Sequence, residues 1–303
     1  MRLAVTGASG FVGAAVHRAA LARGWQVYGF GRRPTGLPGY RRWDLTQGPL
    51  PDPPEVDAVV HTAGAVTDWG PPAPIWLSNV DGVRSVLATF PTARLVHLST
   101  ASVYDPYTPT VHAREEAAPV RRYGTAYAAS KAAAERLLTG RADTVILRPH
   151  AVYGPGDPTL LPRILSAIRG ETLWIVGDGT CRHSLTSIGN LVSATLLACE
   201  SQAPQGVYNV ADAEPVTLLD ALREFLEQRG ITAGVTHLPV RPARALATVA
   251  ELTYRLLRRP EPPRLTRYTI SHLAMERTLD ITAARERLGY QPTPTSFAGA
   301  ASW

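Results

Sequence analysis

Thr6-Gly7-Ala8-Ser9-Gly10-Phe11-Val12-Gly13 follows a short apolar run, Arg2 to Thr6, and opens a helical pattern that closes at Gly24. Its position decides its meaning. Glycines at a strand-to-helix turn allow positive φ, bring backbone N–H groups close to a pyrophosphate, and let the helix pack tightly on the sheet. The helix N-terminus then favours the anion. Gly7, Ser9, Gly10, Phe11, Val12 and Gly13 are therefore candidate dinucleotide-binding residues. The spacing is Gly-x-x-Gly-x-x-Gly rather than Gly-x-Gly-x-x-Gly, and a tight turn without a ligand is the competing role.

Outward from this turn, apolar runs at Gln26–Phe30, Ala58–Thr62, Arg94–Ser99 and Thr144–Arg148 read as buried strands. The stretches 11–23, 75–90 and 123–139 between them are long enough for crossover helices. Strand–helix repetition predicts an α/β fold, a doubly wound parallel sheet of Rossmann type with ligands at the carboxyl ends of its strands. After Pro149 the helical segments lengthen, at 160–169, 188–200, 218–229 and 243–257. The expected organisation is a dinucleotide-binding part over 1–150 and, over 151–303, a smaller α/β substrate lobe with segments returning to the core.

The second strand ends Tyr28-Gly29-Phe30-Gly31-Arg32-Arg33, without the acid that usually binds a ribose 2′-OH. Two arginines stand where a 2′-phosphate would lie, so NADP is favoured and NAD stays open; Arg32 and Arg33 as ordinary surface residues is the alternative. Asp44, beside Leu45, is a candidate acceptor for the adenine amino group, and turn capping is its competing role.

The chain has 303 residues, 45% hydrophobic and 18% charged, enough for a sizeable core. Its net charge of +6 comes with scattered arginines in no run longer than a pair, which argues against a nucleic-acid surface. Cys181 and Cys199 have no metal spacing and fit a reducing compartment. Neither a metal nor a membrane span is expected, and a cytoplasmic location is.

Of the 31 basic residues only Lys131 is a lysine. A chain that keeps one ammonium among guanidinium groups needs it there. Lys131 stands four residues after Tyr127 in a helical stretch, so phenol and ammonium share a face. With 11 tyrosines in 303 positions, chance gives that spacing in about 4% of cases. A fixed cation favours the ionised phenol, and the pair suits proton exchange with a carbinol. Thr100, with Ser102 second, offers a hydroxyl at the preceding strand end; both are also ordinary strand-end caps.

Together these residues resemble the extended short-chain dehydrogenase/reductase family, of the NAD-dependent epimerase/dehydratase type, over essentially the whole chain. The resemblance rests on the glycine turn, His61-Thr62-Ala63-Gly64, Asn79-Val80-x-Gly82, Ser99-Thr100 with Val103-Tyr104, Tyr127-x-x-x-Lys131 and Arg148-Pro149-x-x-Val152-Tyr153-Gly154-Pro155. It implies Tyr127 as general acid/base, Lys131 as its activator and a ribose ligand, Thr100 as a polarising hydroxyl and Asn79 as a supporting residue. It also implies that Ala63, Gly64, Pro149 and Val152 border the cofactor, and that the protein is a homodimer.

Ala101-Ser102 replace the Asp-Glu of dehydratases, and Ala151 replaces an epimerase asparagine. Arg148-Pro149-His150, Gly177-Asp178-Gly179 and Leu265-Thr266-Arg267-Tyr268 look like the 3β-hydroxysteroid dehydrogenase branch, which includes sterol 4-carboxylate 3-dehydrogenases and 2-alkyl-3-keto-acid reductases. The expected activity is an NADP-preferring oxidoreductase acting on a small, apolar 3-hydroxy or 3-keto compound. The rivals are a nucleotide-sugar epimerase with retained NAD and a non-catalytic dinucleotide sensor. His150 and Arg182, which would pair a substrate carboxylate, are further substrate-site candidates, each with a structural alternative. Trp69, Trp76 and Trp174 are candidates for an apolar wall.

Overall fold

Strand β1 (Arg2–Thr6) is buried from Leu3 onward on both faces, with Leu3 and Val5 turned to one core and Ala4 to the other. This is what a central strand of a doubly covered parallel sheet requires. A computed structural model describes residues 1–200 and 205–303 and places β1 in a seven-stranded sheet. The order is Gly206–Val210, Thr144–Pro149, β5 (Arg94–Leu98), β4 (Ala58–His61), β1, β2 (Gln26–Gly31) and β3 (Tyr40–Arg42). Every pair is parallel.

Helix α1 (Phe11–Ala22) and the helices Ile188–Glu200 and Thr282–Leu288 cover one face, burying Val16, Leu191 and Leu288 against Leu3 and Val60. The other face carries Val83 and Val86 of a helix over Gly82–Thr89 and Ala134 and Leu138 of a helix over Ala126–Leu138. The chain passes from β1 to β2 on one side, while β4 lies on the other. Their carboxyl ends therefore open a crevice at the point where strand order reverses.

The expected helix over 75–90 is broken. Pro72–Trp76 forms a first turn, Leu77–Asp81 a π-turn, and Gly82–Thr89 the remainder; single π-turns often mark functional sites. The helix expected to reach Arg169 stops at Ser166, because Ile168–Arg169 pair antiparallel with Thr172–Leu173 around Gly170 at φ +57°. A second core around Tyr153, Leu222, Phe225 and Phe297 holds the outer lobe. No helix among the described residues is long and apolar enough to cross a membrane.

Candidate active site

The glycine turn ends β1 at the crevice. Gly7 has φ +75°, and a Cβ there would lie 2.7 Å from Ala63 N, whereas one on Gly13 would lie 2.2 Å from the Gly7 carbonyl oxygen. These contacts require glycine and press the start of α1 against the β4 loop. Gly10 caps α1 without a side-chain hydrogen bond, and the first turn carries no acid. Its N–H groups thus remain available to an anion. This cradle fits a dinucleotide pyrophosphate; Gly7, Ser9, Gly10, Phe11, Val12 and Gly13 would hold it.

Arg32 and Arg33 are exposed just beyond β2, and Arg33 reaches back to the Ser9 carbonyl at 3.2 Å. Asp44 spends Oδ1 on a turn, accepting from Thr46 N at 3.1 Å and Thr46 Oγ1 at 2.8 Å. Leu45 is fixed by its carbonyl, which accepts from Ser85 Oγ at 2.7 Å. Asn79, buried on the π-turn, accepts from Ala65 N at 2.7 Å and donates to Ala65 O at 3.1 Å and Ser130 Oγ at 2.9 Å. Its amide ties the loop after Gly64 to the Ala126–Leu138 helix, the supporting place the resemblance implies.

That helix starts where Thr125 Oγ1 accepts from Ala128 N at 3.1 Å. One turn beyond Lys131, Glu135 pairs with buried Arg148 through Nε–Oε1 at 3.0 Å and Nη2–Oε2 at 2.7 Å. Arg148 also reaches Tyr104 Oη at 3.2 Å, and Ser99 donates to Glu135. The network clamps the helix to two strand ends, setting the height of Tyr127 and Lys131 above the sheet.

Lys131 is buried, and its Nζ donates to the Leu98 carbonyl, with His97 Nε2 at 3.4 Å. Burial lowers its pKa from 10.5 to about 8, against a smaller upward pull from Glu135. His97 stacks on His61 at 5.3 Å, and burial beside Lys131 keeps both neutral. The expectation that Lys131 draws the Tyr127 pKa down is not met. Burial, with a contribution from Tyr268, raises it, and only the hydrogen bond with Thr100 opposes them. The phenol is thus held protonated.

Thr100 Oγ1 accepts from Ser102 N at 3.1 Å, so it is a strand-end cap as well as a partner of Tyr127. It lies 3.2 Å from Ser102 Oγ, which lies 3.0 Å from Tyr268 Oη. Tyr268 comes from the helix Arg267–Leu273, packs on His272 at 4.2 Å, and was legible only as part of a family-like run. A small pocket beside these hydroxyls is lined by Ser102, His150, His272 and Arg277.

His150 borders this pocket but is locked, with Nδ1 2.7 Å from the Ser184 carbonyl oxygen, and burial lowers its pKa to about 4. Arg182 does not join the site. It is exposed on a two-residue strand paired with Val216–Thr217 and donates to the Pro215 carbonyl at 2.9 Å. Arg277 is the arginine that lines the pocket, donating to the Asp105, Pro106 and Thr108 carbonyls. Trp76 and Trp174 are exposed and form no wall, while Trp69 donates to the Arg259 carbonyl at 3.2 Å. Pro149 ends a buried strand, and Val152 pairs with Thr186 beyond Ala151 at φ +46°.

Fold and site together define a dinucleotide-dependent oxidoreductase. The chain belongs to the NAD dependent epimerase/dehydratase family, which it matches over residues 3–211. A 2-alkyl-3-oxoalkanoate reductase of Stenotrophomonas maltophilia is 32% identical, covering 96% of this chain and 95% of the relative. A 3 beta-hydroxysteroid dehydrogenase/Delta 5-->4-isomerase of Mycobacterium tuberculosis is 26% identical, covering 97% and 87% respectively. Among solved structures, the UDP-glucose 4-epimerase of Thermotoga maritima superimposes with a TM-score of 0.74 over 100% of this chain and 97% of that one. At 19% identity it speaks for the fold alone.

Proposed function

We propose that this protein is an NADP-preferring ketone reductase acting on an apolar 3-keto compound, a 2-alkyl-3-keto acid or a steroid-like ketone. The single observation that carries the reading is the placement of the Tyr127 phenol beside the Thr100 hydroxyl at the end of a parallel strand, where a carbonyl oxygen can meet both. A neutral phenol is the acid form that a carbonyl oxygen requires as it gains negative charge. Reductase relatives spanning nearly the whole chain support the same reading.

When bound, the nicotinamide supplies the hydride that reaches the carbonyl carbon. The chain's own residues handle the rest. Thr100 and Tyr127 hold the ketone oxygen; Tyr127 donates its proton to that oxygen, leaving an alcohol and a phenolate. Lys131, held on the Leu98 carbonyl, serves as an ammonium donor to the cofactor ribose, and the phenolate regains a proton from solvent. Tyr268 adds a hydroxyl from the outer lobe and sets the pocket beside the ketone. In this scheme residues 1–150 bind the dinucleotide and 151–303 mainly the substrate. Arg32 and Arg33 support NADP over NAD.

The test is an assay of NADPH and NADH oxidation with 2-alkyl-3-keto acids, 3-ketosteroids and nucleotide sugars. Turnover of a 3-keto compound with NADPH favoured is expected. Epimerisation of a nucleotide sugar by enzyme that retains NAD would contradict the proposal.

A further inference from the structure

The helix Val240–Leu256 is apolar on two opposite sides. Ala243 and Ala247 are buried with Ile270 and Val176. Facing away from them at helical spacing, Leu246, Val249, Leu252 and Leu256 are 68%, 64%, 60% and 75% exposed. Four large aliphatic side chains in one outward row exceed the scattered exposure of an ordinary surface. Along one flank stand Arg241, Arg244 and Arg255, and Arg258, Arg259 and Arg264 follow. The acids over 240–264 are only Glu251 and Glu261, and Glu251 is buried and held by Arg267 at 3.0 Å.

We propose that this face docks on an anionic membrane surface, with the leucine row entering the headgroup boundary and the arginines contacting lipid phosphates. A second copy of the chain fits less well, because an isologous contact through this row would bring like-charged arginine flanks together. An anionic bilayer instead neutralises them.

The docked helix is also the outer support of the site. It packs on Arg267–Leu273, which carries Tyr268, and Arg255 lies over the Trp69 ring at 5.5 Å. Docking would therefore bear on the helix that carries Tyr268. The docking itself does not depend on which ketone is reduced.

Sedimentation of the full chain with vesicles tests it, without substrate. Two compositions serve: phosphatidylcholine alone, and equal parts phosphatidylcholine and phosphatidylglycerol. Wild type is expected to sediment with the anionic vesicles and to be released by salt. The triple variant Leu246→Gln/Val249→Gln/Leu252→Gln, and separately Arg241→Glu/Arg244→Glu, should lose about tenfold or more in bound fraction, with unchanged thermal midpoints. Wild type that stays in the supernatant would overturn the proposal. So would equal binding by wild type and a folded variant, or a wild-type dimer that the triple variant converts to monomer with no change in vesicle binding.

Discussion

Ser102 Oγ and Tyr268 Oη lie 3.0 Å apart, joining the strand end that carries Thr100 to a helix 166 residues further along the chain. Through Thr100 this contact continues to Tyr127, so the Arg267–Leu273 helix reaches that phenol by way of hydroxyl groups.

Tyr268→Phe removes the hydroxyl and leaves the ring on His272. It should lower kcat/KM about tenfold, chiefly through KM, with little change in the unfolding midpoint. Steady-state kinetics on the best ketone substrate, together with a thermal melt, check this.

Lys131→Arg keeps the charge but not the compact donor that fits between His97 and the Leu98 carbonyl. We expect kcat to fall about a hundredfold or more. Near-normal turnover would show that any cation serves.

The same lysine sets a pH dependence. Its folded pKa of about 8 lies below the ordinary 10.5, so between those values the unfolded chain binds the extra proton. This contribution to stability therefore rises with pH across that window and is absent below it. Activity runs the other way, because the ammonium is lost above about 8. The kcat/KM of reduction should decline above that pH in wild type and lack this inflection in Lys131→Met.

Arg148→Met would leave Glu135 buried without its partner. Urea unfolding should show a loss of about 3–5 kcal/mol, while the double change with Glu135→Leu should recover much of it.

The parallel sheet was legible because each central strand is a short apolar run bounded by turn residues, and the glycine turn located its crevice. That Tyr127 and Lys131 share one helix was legible because they stand within about one helical turn of each other. Long-range geometry was not. Arg182 and Arg277 look alike in sequence and lie on neighbouring strands, yet one is exposed and bonded to the Pro215 carbonyl, while the other is drawn inward by carbonyls of the 105–108 loop. The direction of the Tyr127 pKa differs from expectation for a similar reason: sequence shows the cation four residues on, but not that its ammonium is taken by the Leu98 carbonyl while the phenol is buried.

The role proposed for Tyr127, delivery of the proton in a ketone reduction, is tested most directly by Tyr127→Phe. Single-turnover NADPH oxidation with a 2-alkyl-3-keto acid should slow about a thousandfold or more, with the Kd for NADPH within about threefold of wild type. A rate within about tenfold of wild type at intact cofactor binding would contradict it.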